Sequence, residues 1–317
     1  MIQYFQDIAT TFLKYRYLHN NNILIKKINK IVYSLCKASI RILIPLCYHY
    51  NKSEQPGIAA GSYDGSPPII LSLTTFPARV NTIWIVLETL MRQSFKPNRI
   101  ILWLAAEQFP NGLSELPGKV LNMQKRGLEI RFCDDLRSHK KYYYTMLENP
   151  DAIVITVDDD VFYPENMVSL LVKQYQRHPN CIVANRAHKI TFADNKVAPY
   201  SKWITFALGE KNPSMLLVPT GVGGCLWPPH ILHKEVFNKK AMKELAPLAD
   251  DMWLKCMGVL NGVKVVKSMP ILSEFFTLRG LYKTGLAKQN IGKNLNDIQL
   301  SKIMEAYSID FSIYRDS

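Results

Sequence analysis

The chain has 317 residues, 48% hydrophobic and 21% charged, which is an ordinary globular composition with room for one large α/β domain plus appendages. Its formal net charge of +13 suggests an anionic partner, either a nucleic acid or a membrane surface. The six cysteines are far apart and form no CxxC pair, which argues against a disulfide framework and a zinc site and favours a reducing cytoplasm.

Residues 1–50 predict a basic, amphipathic helical leader. Residues 1–55 hold eight Lys and Arg against two acids, a net charge of 8 − 2 = +6. The first twenty residues lack the compact apolar region of a signal peptide. The apolar run from Ile31 to Leu46 contains two bases and falls short of the roughly 20 residues that a bilayer requires. We expect Pro45 to end or kink the helix near Ile44.

On a helical wheel the leader has two faces. The apolar face gathers Ile28, Ile31, Val32, Leu35, Ile42 and Leu43. Lys30, Lys37 and Arg41 stack on the opposite side. Such a helix either lies in an anionic membrane interface or docks on the core of its own protein with a solvated basic face. The sequence leaves both alternatives open.

Residues 51–68 are rich in Gly, Pro, Ser and Asn and are interpreted as a linker. From residue 69 onwards, strand and helix patterns alternate, which predicts a mostly parallel sheet flanked by helices in a Rossmann-like α/β fold. The predicted strands cover residues 69–74, 99–104, 128–132, 153–157, 181–184 and 263–266. The predicted helices cover 82–93, 138–147, 164–177 and 250–260.

Three adjacent acids, Asp158, Asp159 and Asp160, follow the buried strand pattern AIVITV. At roughly 5 Å and an effective dielectric constant of about 20, each neighbouring pair of carboxylates costs about 3 kcal/mol. If the strand alternation continues, Asp158 and Asp160 lie on one side and can converge on one divalent cation. The carboxyl end of a buried strand is also where open α/β sheets bind ligands, which favours a site over a solvated acidic turn.

Several motifs in order resemble a bacterial GT-A glycosyltransferase of capsule or O-antigen polysaccharide biosynthesis. These motifs are SLTTFPARV at Ser72–Val80, RIILWL followed by EQFP, the triple acid, GVGGCLWPP at Gly221–Pro229, and ADDMW at Ala249–Trp253. The resemblance covers about residues 68–300 and implies a GT-A domain over 69–317. Within it, residues 69–160 form the nucleotide-binding half, 161–300 the acceptor half and 301–317 a tail.

The resemblance implies that the triple acid binds a nucleotide sugar through Mn²⁺ or Mg²⁺. Asp160 is then a direct metal ligand, Asp158 contacts metal or ribose, and Asp159 holds a basic residue or a sugar hydroxyl. The loop after the first strand, where a Rossmann-like fold meets its nucleotide, makes Thr74, Pro77 and Arg79 donor candidates.

Further donor candidates lie on later segments. They are Asp134 and Asp135 after the third strand, Lys140 and Lys141 on the next helix, and Gly223 and Gly224, where glycine permits close backbone approach. Trp227 is a candidate for stacking on an acceptor sugar, although a buried structural tryptophan is the alternative.

An inverting glycosyltransferase needs a carboxylate that takes the proton of the acceptor hydroxyl. The resemblance places this base in the pair Asp250 and Asp251, with Asp251 preferred. Both acids also suit the first turn of a helix for structural reasons alone. A run from Gly280 to Lys293 is a candidate flap over donor phosphates, with Arg279, Lys283 or Lys288 supplying charge, and a flexible tail is the alternative.

The expected function is therefore metal-dependent, inverting transfer from a nucleotide sugar, with UDP as the default nucleotide, to a lipid-linked glycan. The expected location is the cytoplasmic face of the inner membrane. A nucleotidyltransferase is the enzymatic rival, but no glycine-rich, basic triphosphate signature appears near residue 75. Nucleic-acid binding is the non-enzymatic rival, but nearly half of the net charge lies on the leader and no nucleic-acid fold is recognised.

Overall fold

The computed structural model describes residues 1–18, 23–61, 65–268, 275–278 and 294–315, with the side chains of residues 12–18 excepted. Its described strands form one seven-stranded sheet and two small two-stranded sheets. The strands are β1 (Ile69–Thr74), β2 (Arg99–Ala105), β3 (Leu128–Cys133), β4 (Ile153–Thr156), β5 (Ile182–Ala184), β6 (Ala187–Lys189), β7 (Phe192–Ala193), β8 (Lys196–Val197), β9 (Leu217–Pro219), β10 (Cys225–Trp227) and β11 (Val265–Lys267).

The large sheet has the strand order β11-β5-β10-β4-β1-β2-β3. Strand β10 runs antiparallel to both of its neighbours, and every other neighbouring pair is parallel. The small sheets pair β6 with β9 and β7 with β8. The described helices are α1 (Ile2–Leu18), α2 (Ile23–Tyr50), α3 (Ile83–Met91), α4 (Gly118–Asn122), α5 (Lys140–Glu148), α6 (Met167–Arg177), α7 (Lys239–Leu245), α8 (Asp250–Leu260) and α9 (Leu295–Ala306).

Helices cover both faces of the sheet, because alternate side chains of each strand enter different cores. Val183 and Leu226 point into a core shared with α2, α3 and α6. Ala184 and Trp227 point into a second core built with α5, α7, α8 and α9. The predicted fold class is therefore confirmed: a mostly parallel central sheet flanked by helices, with helical segments at the N-terminus.

From residue 69 onwards, the predicted strands and helices lie where the sequence placed them, with ends that differ by at most three residues. Strand β10 was not predicted, since three residues next to glycines and prolines carry no usable period. Pro45 was expected to end or kink the leader helix near Ile44; an end there is wrong, because α2 continues through Pro45 to Tyr50, and a kink stays a prediction. Proline removes only one intrahelical hydrogen bond, and the buried residues Ile44 and Tyr48 hold the turns on both sides.

The leader packs on the protein, but not through the face expected from the wheel. Cys36, Ile40, Ile44 and Tyr48 form the buried face of α2 and belong to the same core as β1 and α3. Arg41, expected on the solvated side, donates a 2.8 Å hydrogen bond to the carbonyl oxygen of Thr277. The expected apolar face remains largely exposed. Helix α2 thus packs on the protein through the shorter of its two apolar faces. The longer apolar face stays exposed to solvent.

The expected boundary between the acceptor half and the tail, at residue 301, falls inside α9. Ile303 on this helix is fully buried, and Ile309 and Phe311 beyond it are buried in the second core next to α8. The last described segment therefore supports the helix that carries Asp250 and Asp251.

Candidate active site

The triple acid follows β4 as a turn and not as a continued strand. Asp159 and Asp160 both pair with Arg79, whose Nη2 lies 3.2 Å from Asp160 Oδ2. Asp158 instead lies 2.8 Å from the ammonium group of Lys141. Strand alternation does not continue through the three acids, because the chain leaves extended geometry after Thr156. The predicted convergence of Asp158 and Asp160 on one cation therefore loses that basis and stays a prediction.

The loop after β1 closes on this turn, since β1 and β4 are parallel neighbours and end at the same edge of the sheet. Arg79 is buried, 8% exposed, beneath Phe76, and it pairs with two of the three acids. The hydroxyl of Thr75 donates a 2.6 Å hydrogen bond to Asp159. Arg79 thus fixes the shape of the acid turn, and its predicted contact with donor phosphate stays a prediction.

Helix α5 carries two buried lysines whose side chains point in different directions. Lys141 Nζ lies 2.8 Å from Asp158 and 2.8 Å from Asp250 at the start of α8. Lys140 Nζ lies 2.5 Å from Asp135, away from the triple acid. Successive residues of a helix point about 100° apart, so only one of the two can face the site. The structure gives that position to Lys141.

Asp250 and Asp251 have opposite electrostatic environments although they are neighbours. Burial disfavours the charge of Asp250, but its ion pair with Lys141 holds the pKa of that carboxyl below its ordinary value. Burial, and then the negative charge of Asp250, raise the pKa of Asp251 to about 7. A pair of carboxyls with separated pKa values is typical of acid–base sites. Asp251 therefore has the properties of a general base that works near neutral pH.

A glycine-rich loop lies where the triple acid after β4 meets the acid pair that opens α8. The Gly221 N–H donates a 3.1 Å hydrogen bond to Asp251 Oδ2. A Cβ atom on Gly221 would lie 2.8 Å from Asp158 Oδ1 and 3.1 Å from Lys141 Nζ. Gly224 has φ +83°, a conformation that side chains other than glycine rarely adopt. The loop thus needs glycine both for close approach and for its backbone path.

The acids suit a divalent cation chemically. If all are ionised, the five acids Asp158, Asp159, Asp160, Asp250 and Asp251 face two paired cations, Arg79 and Lys141, so the excess is 5 − 2 = 3 negative charges. Burial, opposed by Arg79 and reinforced by Asp158 and Asp159, raises the pKa of Asp160 to about 7.

The geometry further limits which kind of ion can bind. Among the described residues, no group of three or more His, Cys, Asp or Glu is arranged to hold a metal ion. Asp158 and Asp160 are each about one-quarter exposed, at 26% and 24% of their side chains. Two accessible carboxylates match Mg²⁺ or Mn²⁺, which complete their coordination with substrate phosphates and water.

The remaining predicted residues lie in different places. Trp227 is 2% exposed, and its indole N–H donates a 2.9 Å hydrogen bond to Thr156. Its predicted stacking on an acceptor sugar is therefore wrong, because the ring faces the second core. The hydroxyl of Thr74 bonds the Trp103 carbonyl oxygen, Pro77 is exposed on its turn, and Asp134 is exposed and pairs with Lys239.

Several polar residues around the glycine-rich loop and Asp251 were not predicted from the sequence. Asn185 and Arg186 follow β5, and the Asn185 amide donates a 2.9 Å hydrogen bond to the Gly223 carbonyl oxygen. A Cβ on Gly223 would lie 3.0 Å from the Arg186 backbone. Burial, and then the charge of Asp251, raise the pKa of Tyr200 to about 12, so Tyr200 lies within electrostatic reach of Asp251. The sequence contained one signal for Asn185 and Arg186, because both are polar and directly follow a buried strand.

The candidate flap falls outside the described residues, since it covers Gly280–Lys293, and so does the flanking Arg279.

No protein-family model and no curated protein matches the chain. Among solved structures, it is similar to the mannosyltransferase PcManGT from Pyrobaculum calidifontis, solved with GDP-Man and Mn²⁺, at 12% identity and a TM-score of 0.42, over 82% of this chain and 71% of that one. It is also similar to residues 1–349 of TarS from S. aureus, at 12% identity and a TM-score of 0.42, over 75% and 70%.

A third solved structure is the inositol-1-phosphate CTP transferase from T. maritima, at 11% identity and a TM-score of 0.37, over 76% of this chain and 97% of that one. At these values, none of the three assigns a function or a site residue to this chain.

Proposed function

We propose that this protein is a glycosyltransferase that moves a sugar from a nucleotide-sugar donor to a hydroxyl group of an acceptor, with inversion. The single observation that supports this proposal most strongly is the junction at Lys141. Here the acid turn after β4 meets the acids that open α8, one of which has a pKa of about 7. A charged donor site and a carboxyl base therefore lie within one cluster.

On the donor side, Asp158 and Asp160 would hold the divalent ion, Mn²⁺ or Mg²⁺. The ion, when bound, supplies electrostatic stabilisation of the diphosphate leaving group. The donor sugar is proposed to lie against the loop at 221–224, where Gly221 has no side chain and its backbone comes close to Asp158 and Lys141. Arg79 and Thr75 keep the acid turn in place during turnover, since both bond Asp159.

Asp251 is the catalytic base in this proposal. The acceptor hydroxyl transfers its proton to the free carboxylate oxygen of Asp251, while Oδ2 stays bonded to the Gly221 N–H. The acceptor oxygen forms a bond to the anomeric carbon as the bond between that carbon and the phosphate oxygen breaks. The bonding electron pair leaves with the nucleoside diphosphate. Asp250 and Lys141 position the base and set its pKa.

The acceptor lies next to Asp251, on the side of Arg186 and Tyr200. A lipid-linked glycan of bacterial polysaccharide synthesis is the proposed acceptor and UDP the proposed nucleotide, both because of the sequence resemblance. This choice places the enzyme at the cytoplasmic face of the inner membrane. The domain division at residues 69–160 and 161–300 belongs to the same proposal.

The test is a radiolabelled transfer assay with a panel of UDP-sugars, Mn²⁺ and a lipid-extract acceptor. We expect transfer by the parent protein and a loss of roughly 100-fold or more in Asp251→Asn, since general-base catalysis contributes about that much. Donor affinity should stay within about twofold of the parent value. Parental transfer by Asp251→Asn contradicts the base assignment. Release of pyrophosphate from a nucleoside triphosphate and sugar phosphate, with no sugar transfer, contradicts the reaction class.

A further inference from the structure

Helix α2 carries a second apolar face that the protein core does not cover. Its buried face consists of Cys36, Ile40, Ile44 and Tyr48. On the far side lie five large apolar side chains within a sector of about 60° at 100° per residue, a set we name the apolar stripe. The apolar stripe comprises Ile28, Ile31, Leu35, Ile42 and Leu46, with exposures from 43% to 62%.

Exposure of this kind is concentrated on α2. In the part of the chain that the structure describes, seventeen large hydrophobic side chains are exposed, and nine of them lie on this one helix. Single exposed apolar residues are ordinary, whereas a contiguous row marks an interaction surface. From Ile28 to Leu46 the row is about 27 Å long at 1.5 Å per residue. A surface of this length has the dimensions of a docking site.

The charges on α2 identify the kind of partner. The helix has no Asp or Glu, and it carries Lys26, Lys27, Lys30, Lys37 and Arg41. The first three of these are exposed near the start of the helix, with Lys27 toward the edge of the apolar stripe and Lys26 and Lys30 on the opposite side. A helix with an apolar stripe on one side, bases on the other side and no acids matches an anionic lipid surface. A second copy of the chain matches it poorly, because each α2 would face another helix of the same charge.

The packing of α2 also determines how it meets a bilayer. Within the described residues, α2 alone is long and apolar enough to cross a membrane. Crossing would pull its buried face out of the protein core and break the hydrogen bonds from Arg41 to Thr277 and Leu278. A helix lying flat on the membrane keeps these contacts and buries only the apolar stripe.

We propose that α2 seats the protein on an anionic membrane surface, parallel to the bilayer plane, with the apolar stripe inserted at the level of the lipid headgroups. This inference is independent of the transfer reaction. It predicts that a protein without the apolar stripe keeps its fold and any activity on a soluble acceptor, and loses only its attachment to lipid.

The experiment is flotation of the full chain with vesicles of phosphatidylcholine alone or mixed with phosphatidylglycerol. The variant Ile31→Ser/Leu35→Ser/Ile42→Ser removes the centre of the apolar stripe. The matched control, Leu113→Ser/Leu147→Ser/Ile313→Ser, removes three exposed apolar residues elsewhere. We expect partitioning to mixed vesicles to fall roughly tenfold or more in the stripe variant and to stay near the parent value in the control.

A second variant tests the charges. Lys26→Gln/Lys27→Gln/Lys30→Gln should weaken partitioning to mixed vesicles roughly tenfold or more and leave the weak partitioning to neutral vesicles unchanged. Equal partitioning of the stripe variant and the parent overturns the proposal. So does a lipid-free dimer in sedimentation equilibrium that the stripe substitutions dissociate, since the apolar stripe is then a subunit contact. Retention on membranes after an alkaline carbonate wash overturns the flat orientation.

Discussion

The ammonium group of Lys141 lies 2.8 Å from the carboxylate of Asp250, and it lies equally close to Asp158. Asp158 belongs to the triple acid that is proposed to bind the donor. Asp250 belongs to the acid pair that contains the proposed base. Burial disfavours the charge of Lys141, yet the surrounding acids hold its pKa well above the ordinary value. Lys141 is therefore charged at every working pH, and the two halves of the site depend on one buried cation.

Replacing Lys141 with methionine should damage both halves together. The change leaves Asp158 and Asp250 without their shared cation, and breaking a buried ion pair costs about 3–5 kcal/mol. We expect a large fall in melting temperature and, in the protein that remains folded, loss of the effect of Mn²⁺ on nucleotide-sugar affinity. Calorimetry measures the first quantity and titration fluorescence the second.

Lys140→Met is the matched control for that substitution. Lys140 is equally buried, but its partner is Asp135, outside the cluster. The control should lower the melting temperature and leave Mn²⁺-dependent affinity within about twofold of the parent. An equal loss of affinity in both variants contradicts the bridging role of Lys141, because it then reflects general destabilisation.

The two acids that open α8 should respond oppositely to neutralisation. The folded-state pKa of Asp251 is about 7, above its ordinary value of 3.8, so ionisation of Asp251 destabilises the fold as pH rises through this interval. Asp251→Asn should raise the melting temperature near pH 8, by about 2–4 °C for each kcal/mol recovered, with no gain near pH 4. Differential scanning calorimetry across this pH range measures the effect.

Asp250→Asn should lower the melting temperature near pH 8, because the pKa of Asp250 is held below its ordinary value and its ionised form stabilises the fold. That contribution is present above the ordinary carboxyl pKa and disappears as pH falls through the depressed value. Two variants that shift the melting temperature in the same direction contradict the opposite environments described above.

The pH dependence of transfer should report the base directly. Asp251 must be ionised to accept a proton, so kcat/KM should fall about tenfold per pH unit below pH 7 and level off above it. In Asp250→Asn the neighbouring negative charge is gone, and the acid limb should move to lower pH. Steady-state kinetics on both proteins measures this shift. An acid limb that stays in place means that another group is being titrated.

Gly221→Ala should impair the site without a general loss of stability. Its Cβ would lie 2.8 Å from the Asp158 carboxylate, which must move to make room. We expect roughly tenfold or weaker donor binding from this local displacement, measured by titration. Gly118→Ala is the control, because a Cβ there meets nothing within 4 Å and no unusual backbone angle is present. Parental affinity in Gly221→Ala contradicts the close approach of this loop.

The sequence predicted most of the sheet because its central strands are largely apolar runs, as in Ile153–Thr156, and helical patterns separate the predicted strands. It also predicted both acid sets by their positions at strand and helix ends. Pairing across the fold was not predictable: nothing local distinguishes Lys141, which faces the acids, from Lys140, which faces Asp135.

Other misses have equally specific causes. Strand alternation could not be extended to Asp158 and Asp160, because β4 ends at Thr156 and a turn follows it. Stacking of Trp227 on a sugar is wrong, and its alternative, a buried structural tryptophan, is confirmed by its place in the second core. The sequence does not separate the two, because the strand that carries Trp227, β10, is too short to show a period. The docked face of α2 was misjudged because a helix with apolar residues on two sides does not reveal from sequence which side its own protein uses.

The central claim is that the acids around Lys141 form a site for a divalent ion and a nucleotide sugar. The most direct measurement is a calorimetric titration of the parent protein and Asp158→Asn with a panel of nucleotide sugars, with and without Mn²⁺. We predict that the parent binds at least one of them only when Mn²⁺ is present, and that Asp158→Asn binds it roughly tenfold or more weakly. Absence of any binding by the parent, with Mn²⁺ or without it, would contradict the account.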